Sequence, residues 1–102
     1  AFSSSSLAPV PNISGAAYSG GNLTITGTGL GNSEYLFTTV VKVMNAALGT
    51  SYSVTQRKFV AAGGSVSATS VVVPGSQITG IAIGQKVQVQ VGSLASNIFT
   101  IT

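Results

Sequence analysis

Glu34 is the sole acidic side chain in this 102-residue chain, which also has no histidine, cysteine or aspartate. General bases, catalytic triads and transition-metal clusters are built from those residue types, so none can be assembled here. Glycoside hydrolysis needs two carboxylates and calcium needs several, and both fail on the same inventory. Glu34 itself reads as a solvated loop charge. Gly27-x-Gly29-x-Gly31 follows a strand pattern as a dinucleotide-binding loop does, but that chemistry requires a following helix and an acidic residue about twenty positions on. Residues 33–44 are β-like and the chain lacks aspartate, so the three glycines read as a turn. Asn12-Ile13-Ser14 and Asn22-Leu23-Thr24 have the form of glycosylation acceptors. With serine and threonine at about a quarter of the chain and five asparagines, two such matches are unsurprising. Tyr18, Tyr35 and Tyr52 could stack on a sugar, but their spacing gives no common face, and tyrosines at strand ends and sandwich corners are the simpler reading. The chain is therefore expected to be non-catalytic, with neither cofactor nor metal.

The charge balance points the same way. Glu34, Lys42, Arg57, Lys58 and Lys86 are all the charges there are, 5% of the residues, against roughly 25% in an ordinary domain. Polarity comes from serine, threonine, asparagine and glutamine. A surface so poor in charge resists self-association weakly, which suits a subunit of an assembly or a crowded coat; a secreted or thermally robust monomer is the alternative. The net charge of +3 reflects scarce acids, and the single adjacent pair, Arg57-Lys58, could neutralise about two phosphates, too few for nucleic-acid affinity at physiological salt. Apolar runs are short, Val71-Val72-Val73 among the longest, whereas a spanning helix needs about 18 residues. Neither nucleic acid nor membrane insertion is expected. Absence of cysteine leaves the compartment open. A start at Ala1 fits either removal of an initiator methionine or cleavage of a signal peptide.

A chain of this length fits one domain that buries roughly 65% of its unfolded surface. Residues 1–11 have no helical period, and Pro9 and Pro11 hold their predecessors extended, so they are expected to form an arm with Phe2, Leu7 and Val10 as candidate assembly contacts. Residues 12–102 form the folded unit. Val10 to Ile13 reads as an edge strand and Ser14 to Gly21 as a turn-rich connection. Gly20-Gly21 then leads into Asn22 to Thr28, where Leu23 and Ile25 alternate with Asn22, Thr24 and Thr26. After a turn at residues 29–33 come Thr38 to Met44, a loop or helical turn at residues 45–49, and strand-like alternation over Ser51 to Val60. Gly63-Gly64 turns the chain into a strand from Ser65 to Val73, ended by Pro74-Gly75. Ile78, Ile81 and Ile83 are apolar without a clear assignment. Lys86 to Val91 alternates strictly, and Ser96 to Thr102 is expected to pair with it as a hairpin. Short strands about ten residues apart, without a convincing helix, give an all-β sandwich of about seven strands.

Gly20-Gly21-Asn22-Leu23-Thr24-Ile25-Thr26-Gly27-Thr28-Gly29-Leu30-Gly31, the Val73-Pro74 turn, and Val87 to Phe99 with Ser96-Asn97 together resemble the IPT/TIG group of immunoglobulin-like domains. The likeness spans residues 11–102 and departs from the group's pattern after Ile13, where Ser14-Gly15-Ala16 stands in place of a proline. It implies an immunoglobulin-like β-sandwich in which Gly20, Gly21, Gly27, Gly29, Gly31, Pro74 and Gly75 define the turns. Such sandwiches serve adhesins, receptors, accessory domains and virion proteins alike. Combined with the missing charges, the expectation is a structural subunit of a larger surface assembly: a phage virion decoration or tail component, or a cell-surface fibre subunit. Its partners would be protein subunits of that assembly, with a surface glycan as a further class, and its location a virion or cell surface. The alternative is a carbohydrate- or receptor-binding adhesin domain from a larger secreted protein.

Overall fold

The computed structural model describes residues 10–31, 39–44, 51–78 and 80–102. Its elements in chain order are β1 (Asn12–Ser19), β2 (Asn22–Thr28), β3 (Thr39–Met44), β4 (Ser51–Thr55), the helix α1 (Gln56–Ala61), β5 (Ser65–Val66), β6 (Ser70–Pro74), a 3-10 turn at Gly75–Gln77, β7 (Lys86–Val91), β8 (Leu94–Ala95) and β9 (Phe99–Thr100). One antiparallel sheet has the order β1-β2-β6-β5. The other runs β4-β3-β7-β8, with β9 also on β7. Their inner faces share one core, where Leu23, Ile25, Val71 and Val73 from the first sheet and Val41, Val43, Val87 and Val89 from the second are all buried. Each fully buried side chain of this size contributes roughly 1.5–3 kcal/mol, and the period-2 alternation puts them on one face. The chain is an all-β sandwich, as its alternation predicts.

The first strand lies elsewhere than expected. It begins at Asn12 and runs through residues 14–19, which read as a connection in the sequence. The cause is a β-bulge: Ile13 lies opposite Gly27 and Gly15 opposite Thr26, so Ser14 is the extra residue. Ile13 and Ala16 thus both face inward although three apart, and simple alternation is lost. The turn that follows is the expected one: Gly20 and Gly21 have φ of +62° and +82°, the left-handed pair that a two-residue hairpin requires. Gly27 is needed for another reason, since a Cβ there would overlap the Asn12 carbonyl oxygen across the pair.

Three further segments differ from expectation. The Ser51 to Val60 run is a strand only to Thr55 and then turns into α1. Gln56, Arg57 and Lys58 are good helix formers, and the helical turn carries Phe59 into the core, where it is fully buried. A continued strand would have left it at the sheet edge. The Ser65 to Val73 run is broken into β5 and β6 at a turn closed by Ser67, whose N–H donates to the Ser70 carbonyl (2.8 Å) and whose Oγ accepts from the Ser70 N–H (3.1 Å). Of the expected Ser96 to Thr102 strand only β9 (Phe99–Thr100) is strand; the chain first pairs with β7 earlier, as β8 at Leu94–Ala95, and leaves the ladder at residues 96–98, where Asn97 turns to Ile13. Of the three unassigned isoleucines, Ile78 is buried, Ile81 is half-buried against the core and Ile83 is exposed.

Contacts of α1 reach β3, β4, β5 and β6, so the helix closes the side of the sandwich where β4 and β5 stand. If Phe59 anchors it, Phe59→Ala should lower unfolding free energy by about 3–5 kcal/mol, measured by urea denaturation, while the exposed neighbour Lys58→Ala should change it by less than about 0.5 kcal/mol.

Candidate functional site

In a sandwich the sheet edges carry the reactive backbone. Two sheets give four edges, formed here by β1, β5, β4 and the β8/β9 pair. β1 is closed by side chain and backbone together. The Asn97 side chain accepts from the Ile13 N–H (2.7 Å) and donates to the Ile13 carbonyl (3.0 Å), imitating a neighbouring strand. Five residues after Asn97, the Thr102 N–H donates to the Ala16 carbonyl (2.9 Å) and the Tyr18 N–H to the Thr102 carbonyl (3.0 Å), the pattern of a parallel bridge around Ala17. The first strand is thereby tied to both sheets. Ser96 prepares this clamp: buried, its Oγ accepts from the Val89 N–H (2.9 Å) and donates to the Asn97 carbonyl (2.8 Å).

The turn residues come together at the other end of β1. The Gly75 N–H donates to the Gly21 carbonyl (2.7 Å), so Gly20-Gly21 and Pro74-Gly75, more than fifty residues apart in sequence, form one hydrogen-bonded corner. A Cβ on Gly75 would meet Tyr18 Oη at 2.8 Å, which fixes glycine under that ring. Gly29 takes φ +66° just past β2, and Gly31 is buried where a side chain would collide with Val66. Of the arm contacts, Val10 is 63% exposed, while Phe2 and Leu7 lie outside the described residues, as do Glu34, Tyr35 and residues 45–49. Tyr18 packs against the core at the β1 edge and Tyr52 stands half-exposed on β4, at the opposite edge, so these two rings share no platform.

Charge is divided between the sheets. The strands of the β1-β2-β6-β5 sheet contain no charged residue. Lys42 and Lys86 alternate with the buried valines of β3 and β7 and so occupy the outer face of the other sheet, alongside Gln88 and Gln90. Lys86 Nζ donates to Thr100 Oγ1 (2.5 Å), and the side-chain amides of Gln88 and Gln90 donate to the Ser96 and Gly92 carbonyls. Among the described residues no group of metal-ligating side chains comes together, and no helix is long and apolar enough to cross a membrane.

β5 and the β8/β9 pair are blunted by length, at two residues each. β4 is five residues without proline or charge. Sequence reading singled out the arm and the glycines but missed both the Asn97 clamp and the β4 edge; the Ser96-Asn97 pair was legible as a motif, though not as a strand substitute. No family model and no curated protein matches the chain.

Asn97→Ala removes both Ile13 bonds and should destabilise the fold by about 1–3 kcal/mol. Amide exchange at Ile13 should accelerate with it, whereas exchange at Leu23, in the middle of its sheet, should change only by the global loss of stability.

Proposed function

We propose that this chain is a non-catalytic assembly module, an immunoglobulin-like subunit of a larger surface structure on a virion or a cell. The observation that carries the reading is a β4 edge of ordinary strand length left unpaired among the described residues, in a molecule whose other edges are closed or short. Native sandwiches usually protect such an edge with charge, proline or a bulge, and β4 has none of these. Kept open, it suits association by strand addition, where backbone hydrogen bonds give affinity without charge.

Strand order supports the immunoglobulin-like, IPT/TIG-type part of the proposal. Lettered in chain order with β8 and β9 as one strand, β1-β2-β6-β5 corresponds to A-B-E-D and β4-β3-β7-β8 to C′-C-F-G, the arrangement of sandwiches of that class. Among virion and cell-surface settings, a phage decoration or tail component is favoured by the charge-poor composition of the sandwich. A sugar-binding adhesin would be favoured by convergent aromatics, and Tyr18 and Tyr52 stand at opposite edges.

Light scattering across concentration tests this reading. The mass should rise above that of one chain, to a defined oligomer or a growing series, and the association should be nearly unchanged between low and high salt, because exposed ion pairs are what salt screens. A clean monomer at every concentration overturns it.

A further inference from the structure

The direction of the backbone groups along β4 follows from its neighbours. Val89 turns both of its groups toward β8, its N–H donating to Ser96 Oγ and its carbonyl accepting from the Ser96 N–H (2.7 Å). Directions alternate along a strand, so Gln88 and Gln90 turn theirs toward Lys42 and Val40 of β3, and Val41 and Val43 turn theirs toward Val54 and Tyr52 of β4. The Thr39 N–H, of the same parity as Val41, does point that way, donating to Gln56 Oε1 (3.4 Å). Ser51 and Ser53 therefore aim both N–H and carbonyl away from β3, and Thr55 its N–H. Among the described residues nothing bonds to them.

Resting on the assembly reading above, we infer that this edge is the acceptor for residues 1–9 of a second copy of the chain, so that copies join head to tail by donated strands. Length fits: five β4 residues span about 17 Å, and nine extended residues reach about 30 Å, enough to pair and to connect. Composition fits too, since residues 1–8 contain neither proline nor charge and offer a serine run between Phe2 and Leu7. An added strand would also cover Tyr52, which is 42% exposed on this edge. Placement decides between a molecule's own arm and a neighbour's. Val10 leads into β1, which is bonded to the C-terminal segment, whereas β4 and β5 are joined by α1 on the far side of the sandwich. Within one copy the arm would have to cross the sheet's width, about 14 Å at the usual strand spacing, before pairing along about 17 Å, which takes up its whole reach and leaves nothing to turn the chain. Such an interface is heterologous, giving a ring or an open chain of copies.

The test uses two full-length variants. Ser53→Pro removes the central donor of the open edge while leaving the β3–β4 ladder whole, because proline is tolerated where the N–H faces outward. Ser4→Pro/Ser5→Pro blocks the donor strand in either facing. Each alone should be monomeric by light scattering at concentrations where the parent chain assembles, with unchanged circular dichroism. Mixed, they should form a complex of twice the monomer mass and stop there. If both variants still assemble like the parent, the inference fails and the assembly reading stands. If Ser53→Pro alone disrupts assembly, β4 pairs with another occupant, such as β4 of a second copy, and the arm is excluded. A parent chain that never assembles overturns both. Should Ser53→Pro not fold, a peptide of residues 1–9 added to the Ser4→Pro/Ser5→Pro chain answers the same question: slowed amide exchange at Ser51, Ser53 and Thr55 supports the inference, and unchanged exchange there overturns it.

Discussion

Closing sheet edges without charge is the constraint on which this sandwich depends. With β8 and β9 counted together each sheet has four positions and half of them lie at an edge, and the usual protection, lysines directed along the edge, is out of reach for a chain with four cations in all. The substitute at β1 is an amide side chain and a parallel bridge. Asn97 holds Ile13, and Thr102 holds Ala16 and Tyr18. These bonds do more than satisfy β1: they pin the first strand over the side of the core where Ile101 is buried and join the two sheets there. The opposite side is closed by different means, a helical turn that carries Phe59 inward.

Alternation made β2 and β7 legible residue for residue, and β3 from Thr39 onward, because each is a central strand with one face on the core and an unbroken period of two. Edge elements were legible only in part. Ser14 is an unpaired extra residue, so Ile13 and Ala16 face the same way and the pattern of β1 dissolves into what resembles a connection. Tyr52, Val54 and Gln56 alternate as a strand would, and nothing in that spacing shows that Phe59 gains more by turning inward than by continuing the ladder. Ser67 ends β5 with its own hydroxyl, a local choice that competes with the ladder and leaves no glycine or proline to mark it.

Surface function was less legible than fold for a related reason. Whether a strand is central or at an edge is a property of its partners, and Ser51–Thr55 alternates no differently from a paired strand. The glycine-rich motif attracted attention in the sequence, yet its residues serve one corner of the fold, with the Gly21 carbonyl bonded to Gly75 and Tyr18 lying over it. The β4 edge, unpaired among the described residues, sits at the other side, in a segment without any motif.

Magnitudes bound what a donated strand could achieve there. Three N–H and two carbonyl groups, at about 0.5–1.5 kcal/mol net for each hydrogen bond, supply only several kcal/mol. Ordering a comparable number of residues costs about 1–2 kcal/mol each, so the backbone bonds alone roughly cancel against the entropy they require. The surplus has to come from apolar burial, and Phe2 and Leu7 of the arm together with Tyr52 at the edge are the side chains of the right kind, at roughly 1.5–3 kcal/mol for each one fully covered. On this division the ladder fixes register and direction while those three residues set affinity. A single contact would then be weak, so an open chain of copies would lengthen with concentration, one contact per added copy, and only closure into a ring would make the last contact intramolecular.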